Sequence, residues 1–258
     1  MLRTSRCCKA RLLHYFPLTA EAAETANADE EEAFSSWCGW HNDHGSLTGL
    51  VPAMFFEHQP ATTEATASTT TSSSSGEQPA ALDDYALPKA AGKAPTGSGD
   101  LDEWSLPANA GKRSREGEAA EAPKLLSGCP DPSAGLYIRS RKGERVKVGC
   151  PSDHLAFQIG ETAQVHSGGW LQATPHAVRG CGVPHVSRAT FAVFMEPEWD
   201  YPMTAPDGVE PEHTQSSSAA KYLPKGVPPL RTRWGSKDCP YTTCDFGAFT
   251  DVTLQAYH

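Results

Sequence analysis

His41-Asn42-Asp43 sets an imidazole and a carboxylate two residues apart. In an extended strand, residues i and i+2 point to the same face, so both groups can reach one metal ion. The tripeptide alone is near what chance produces, and its surroundings must give it meaning. A third ligand has to come from a distant strand that faces the same cavity. His176, within QATPHAVRG, follows strand-like segments and a Gly168-Gly169 turn signal, and is the favoured candidate. His44, His154, His166 and His185 compete with it. Two histidines and one aspartate form a facial set that suits Fe(II) and leaves positions open for substrate and O2.

Ser187-Arg188-Ala189-Thr190 is the second constellation. Arg188 and Thr190 share one strand face. A guanidinium binds a carboxylate through two parallel hydrogen bonds, and a nearby hydroxyl adds a third. A dicarboxylate co-substrate fits such a pair. The ordinary alternative is an arginine paired with a protein acid. Cys239-Pro-Tyr-Thr-Thr-Cys244 has a spacing that some zinc sites use, but no second ligand pair lies near it.

The elements that must position these residues read as strands. GLYIRS, RVKVGC and HLAFQIG are short alternating or β-branched runs divided by turn residues. SRATFAVFMEP is the clearest strand, with Ala189, Phe191, Val193 and Met195 alternating against Arg188, Thr190, Ala192 and Phe194. No long helical period separates the strands, which disfavours parallel α/β folds. A mainly β sandwich or barrel is expected. After Pro197 the chain is Pro-rich and reads as loop to about residue 229. The closing FGAFTDVTLQAYH puts Phe246, Phe249, Leu254 and Tyr257 on one helical face, with Val252 at its edge. A short amphipathic helix packed outside the sheet is the expectation.

Composition divides the chain into a basic segment over 1–11, ordered parts over 12–57 and 134–258, and a low-complexity insertion over 58–133. The insertion contains ATTEATASTTTSSSSG and few large apolar residues, too few to offset its ordering entropy. Leu82, Tyr85, Leu87 and Trp104 are its candidates for local docking. The formal charge of −9 argues against broad electrostatic binding to nucleic acid or anionic membrane. No apolar run approaches a membrane span. The irregular spacing of the 8 cysteines and the missing secretory h-region favour a reduced intracellular setting, cytoplasmic by preference. The acid-free MLRTSRCCKAR also fits an organelle-targeting segment or a chain lacking upstream sequence.

HNDHGSLTGL, GLYI, LAFQIGETAQ, TPHAVRG and SRATFAVFMEP, in that order, resemble the 2-oxoglutarate and Fe(II)-dependent dioxygenases of the isopenicillin N synthase-like group. About 130 residues separate Asp43 from His176. Removing an insertion of about 75 residues leaves about 60, close to what such a barrel needs. The resemblance implies a double-stranded β-helix, a jelly roll of cupin type. It implies that His41, Asp43 and His176 bind iron, and that Arg188 and Thr190 bind the distal carboxylate of 2-oxoglutarate. It implies O2-dependent decarboxylation of 2-oxoglutarate to succinate and CO2, coupled to oxidation of a small organic substrate.

Two departures matter. The family opens its barrel with an Asn-x-Tyr segment whose Tyr helps to hold 2-oxoglutarate. Here His14-Tyr15-Phe16-Pro17 puts Phe16 at that position; Tyr15 and His14 are the compensating candidates, and simple alternation turns Tyr15 to the other face. The family also carries a long N-terminal region, of which almost nothing precedes Arg11. The expectation is a truncated chain or a more open site. Two other readings stand beside the oxygenase: a non-catalytic jelly-roll binding module of the same descent, and a metal-dependent cupin oxidase that uses no 2-oxoglutarate.

Overall fold

The computed structural model describes residues 5–27, 36–59, 122–215 and 222–257. All of them belong to one compact unit. Ten strands build two antiparallel sheets. The first holds β1 (Lys9–Tyr15), β3 (Leu47–Leu50), β4 (Met54–Glu57), β5 (Lys124–Leu126), β8 (Ala156–Ile159) and β10 (Val186–Met195). The second runs β2-β9-β6-β7, with β2 at Cys38–His41, β9 at His176–Arg179, β6 at Gly135–Arg139 and β7 at Arg145–Lys147. The chain crosses between the sheets repeatedly, with β3–β5 staying in the first and β6–β7 in the second, and the two curled antiparallel sheets form a double-stranded β-helix, or jelly roll. The fold class expected from the strand pattern stands.

β10 is the spine. Its run of β-branched and aromatic residues suits a pleated, half-buried surface. β1 pairs along one edge from Lys9↔Phe194 to Tyr15↔Arg188. Along the other edge the chain from Leu47 to Glu57 runs antiparallel in two pieces, β3 against Ala192–Met195 and β4 against Val186–Ala189. The break falls at Val51-Pro52-Ala53, where proline cannot donate to a ladder.

Four helices are added: α1 (Ala20–Asn27), α2 (Glu161–His166), α3 (Pro211–Gln215) and α4 (Phe246–Tyr257). The stretch after Pro197, expected to be loop, instead carries much of the core. Trp234, Met203 and Cys239 are fully buried and pack with Val165, Phe246 and Phe249. The Trp234 indole N–H donates to the Met203 carbonyl at 2.7 Å. The core here is built from irregular backbone and single large residues, with no period to betray it. Cys239 and Cys244 are bonded to each other, so neither is a zinc ligand.

The buried stripe of α4 is also corrected. It is Phe246, Phe249, Thr250 and Thr253, while Leu254 is half exposed and lines the cavity with Tyr257. The helix therefore packs into the tail's core and borders the cavity, and does not lie outside the sheet. Two boundaries shift as well. β1 begins at Lys9, inside the basic segment, and β5 with residues 122–133 is ordered although it falls in the 58–133 insertion. The remainder of that insertion, including Leu82, Tyr85, Leu87 and Trp104, lies outside the described residues. No helix among the described residues is long and apolar enough to cross a membrane.

Candidate functional site

A cavity of about 370 Å³ opens between the two sheets, within the size range of small-molecule sites. His41 ends β2, His176 begins β9 and pairs directly with it, and Asp43 follows in the connection to β3. The three expected ligands converge there. Their donor atoms lie within 4.8 Å of one another, and they are the one such group among the described residues. His41 Nε2 stands 4.0 Å from Asp43 Oδ1, and His176 Nε2 stands 3.8 Å from the same oxygen. These gaps are too long for hydrogen bonds and short enough for one ion to reach all three atoms.

Each ligand is oriented by its other polar atom. His41 Nδ1 donates to the Gly39 carbonyl at 2.7 Å, and His176 Nδ1 donates to the Thr174 carbonyl at 3.1 Å. A carbonyl can only accept, so both Nδ1 atoms carry a proton and both Nε2 atoms face Asp43. Thr48 Oγ1 donates to Asp43 Oδ2 at 2.6 Å, which leaves Oδ1 for a metal. This is the pattern of partners that tunes a metal ligand. The donor set fits a divalent first-row ion, and the mix of two imidazoles with one carboxylate suits Fe(II). Burial opposes protonation at both imidazoles. At His41 the neighbouring Cys38, the Gly39 carbonyl and Asp43 outweigh it and push the pKa up. At His176 burial wins, reinforced by His41, and the ring is held neutral far below its ordinary value. His44 is the nearest competitor, but its ring stacks on Phe246 and burial lowers its pKa. His154 and His166 bind Asp153 and the Pro202 carbonyl, and His185 sits in a left-handed turn at φ 61°.

The far wall of the cavity carries Arg188, Thr190 and Tyr15. The ordinary alternative for Arg188 fails: among the described residues no carboxylate pairs with it. Arg188 is 6 % exposed, and its guanidinium lies 5.1 Å from the centre of the Tyr15 ring and has an Nε with no partner. Burial lowers its pKa, and contact with Tyr15 works the other way. Burial likewise raises the Tyr15 phenol. Thr190 lines the same wall, with its hydroxyl donating to the Val51 carbonyl at 3.0 Å.

Phe16 is corrected. It is 73 % exposed, and the cavity face of β1 is Arg11, Leu13 and Tyr15. Register decides this, because Tyr15 pairs with Arg188. Tyr15, and not Phe16, therefore faces the cavity beside Arg188. Sequence reasoning missed Arg11, Phe194 and Glu196 in the cavity wall. Phe194 and Glu196 continue the Arg188-Thr190 face at steps of two, a signal that was available. Glu161 and Arg233 were missed as well, and no local pattern announces them.

No known family model matches the chain, and no curated protein matches it. Several solved structures are similar to it in fold. One is a full-length Neurospora crassa protein in complex with alpha-KG and 5-formyluracil, 16% identical over 84% of this chain and 45% of that one, at a TM-score of 0.39. Another is a protein assigned to the 2OG-Fe(II) oxygenase family from Caulobacter crescentus, 14% identical over 97% of this chain and 46% of that one, at a TM-score of 0.42. A third, assigned as an oxygenase, comes from Shewanella oneidensis, with 16% identity over 79% of this chain and 44% of that one, at 0.35. The chain spans less than half the length of each.

Proposed function

We propose that this chain is an Fe(II)- and 2-oxoglutarate-dependent oxygenase acting on a small organic molecule. One observation carries the reading: a single cavity holds a three-donor metal set at one place and a buried, acid-free guanidinium at another. A buried cation with no carboxylate partner among the described residues is costly, and an anionic ligand offsets that cost. His41, Asp43 and His176 would hold the iron. Arg188, with Tyr15 and Thr190 beside it, would take the distal carboxylate of 2-oxoglutarate. Iron held there would supply the O2 chemistry, in which one oxygen atom goes to 2-oxoglutarate as it yields succinate and CO2 and the other would be available to oxidise the substrate. Neither the isopenicillin N synthase-like subgroup nor the substrate is assigned by these features.

The test is an anaerobic titration with Fe(II) followed by 2-oxoglutarate. A visible charge-transfer band should grow to one equivalent and disappear in His176→Ala. A folded protein that binds Fe(II) and 2-oxoglutarate without the band, or binds neither, would favour the non-catalytic module. Substrate oxidation that persists without 2-oxoglutarate would favour the cupin oxidase.

A further inference from the structure

Behind the metal ligands lies a buried ion pair that the proposed chemistry does not use. Arg233 and Glu161 are 2 % and 1 % exposed, and their side chains meet through two contacts of 2.6 Å. Arg233 is fixed from two further directions. It donates to Thr253 Oγ1 on α4 at 2.9 Å and to the Pro228 carbonyl at 2.9 Å. Glu161 Oε1 then accepts the Asn42 side-chain amide at 3.1 Å. Asn42 is the residue between His41 and Asp43.

The same short segment is gripped again at its backbone. The Asn42 N–H donates to the Tyr257 hydroxyl at 3.1 Å. The Glu161 N–H donates to the Asp43 carbonyl at 2.8 Å, and the Thr162 hydroxyl donates to the His44 carbonyl at 2.6 Å. At Gly160 a side chain would overlap the Gly45 carbonyl oxygen, so α2 can approach this closely only with glycine at its start.

A buried ion pair is weak ground for stability, because desolvation cancels much of its attraction. What a bidentate pair supplies is a fixed position, since the planar guanidinium permits few alternatives. We propose that Glu161, clamped by Arg233, is a positioning residue for the metal centre: through Asn42 it sets where His41 and Asp43 stand. The inference rests on the metal site proposed above. α2 and α4 thereby act on a metal that neither helix touches. Partners of this kind typically change metal affinity by about 10–100-fold when removed.

The experiment is a titration of the full chain with Co(II) alone, recording both affinity and the visible ligand-field spectrum. Asn42→Ala cuts the link and leaves the Glu161–Arg233 pair in place, so thermal unfolding of its metal-free form should stay near that of the parent. Its Co(II) affinity should fall by about tenfold or more, with an altered spectrum. Glu161→Gln should show a similar loss of affinity together with a lower unfolding temperature. Combining the two should add little beyond either, since both break one path. Parent-like affinity and spectrum in Asn42→Ala would overturn the proposal, whether or not Glu161→Gln folds. A parent that fails to bind Co(II), or a His176→Ala variant that binds it as tightly as the parent, would instead sink the metal-site reading itself.

Discussion

Removing one imidazole from a three-donor set leaves a histidine and a carboxylate, too few to fix an ion's geometry. His176→Ala is therefore expected to lose Fe(II) binding and succinate formation together, read by titration and by product assay. Arg188 separates the two halves of the site. Arg188→Met keeps the stem and removes the charge, so Fe(II) affinity should persist while 2-oxoglutarate affinity falls by about tenfold to a thousandfold. Loss of metal binding in Arg188→Met, with folding intact, would contradict this division. Tyr15→Phe tests the same wall more gently. It removes the hydroxyl that contacts Arg188 and should weaken 2-oxoglutarate binding by less than the arginine change does. At this scale much was legible beforehand. His41 ends β2 and Asp43 lies just beyond it, so their two-residue spacing brings them together without a shared strand, whereas Arg188 and Thr190 do share a face of β10 because strand alternation is local. The side of Tyr15 was not legible. Inward and outward faces of a single strand become distinct only through its register with β10.

Elements hold these groups through contacts far apart in sequence, and that is where sequence reasoning ran out. β10 showed itself by its alternation, whereas the tail carrying Met203, Leu230 and Trp234 showed no period at all. A core made of isolated large residues on irregular backbone leaves no periodic trace. Trp234 tests whether that tail is integral. Trp234→Ala removes a fully buried indole and its bond to Met203, and should cost about 3–5 kcal/mol of stability in chemical unfolding. A loss below about 1 kcal/mol would mean that the tail folds apart from the barrel. Asp131 ties the turn before β6 to the turn after β9. It accepts from the Ser133 N–H at 2.8 Å, the Ser133 hydroxyl at 2.6 Å and the Gly182 N–H at 2.8 Å. Burial would raise its pKa, but these donors and Arg179 hold the carboxyl below its usual value. A depressed folded-state pKa gives stability that is complete above the unfolded carboxylate pKa of about 3.9 and fades as pH falls through the folded value. Asp131→Asn should therefore flatten the acid limb of the stability profile. It should also cost about 1–3 kcal/mol at neutral pH, both read by denaturant titration across pH.

For the whole molecule, the cavity's position between the sheets couples ligand binding to folding. Two of the proposed metal ligands belong to the second sheet, at β2 and β9, while Arg188 and Thr190 belong to the first, at β10. A dicarboxylate reaching from the metal to Arg188 would join the sheets by a path that the unfolded chain cannot offer. Anything that binds only the folded state stabilises it by mass action, about 2.7 kcal/mol at a hundredfold excess over Kd. For a domain of this size that corresponds to a rise in Tm of about 5–11 °C. A divalent metal and 2-oxoglutarate added together should raise Tm by such an amount. The metal alone should give part of the rise, since it engages only the second sheet and the connection that follows β2. 2-Oxoglutarate alone should give little, because one end of it then lacks a partner. His176→Ala should abolish the response to the metal, and Arg188→Met only the further step due to 2-oxoglutarate. Equal shifts from 2-oxoglutarate with and without metal would mean that the anion binds elsewhere, and the bridging arrangement would fail.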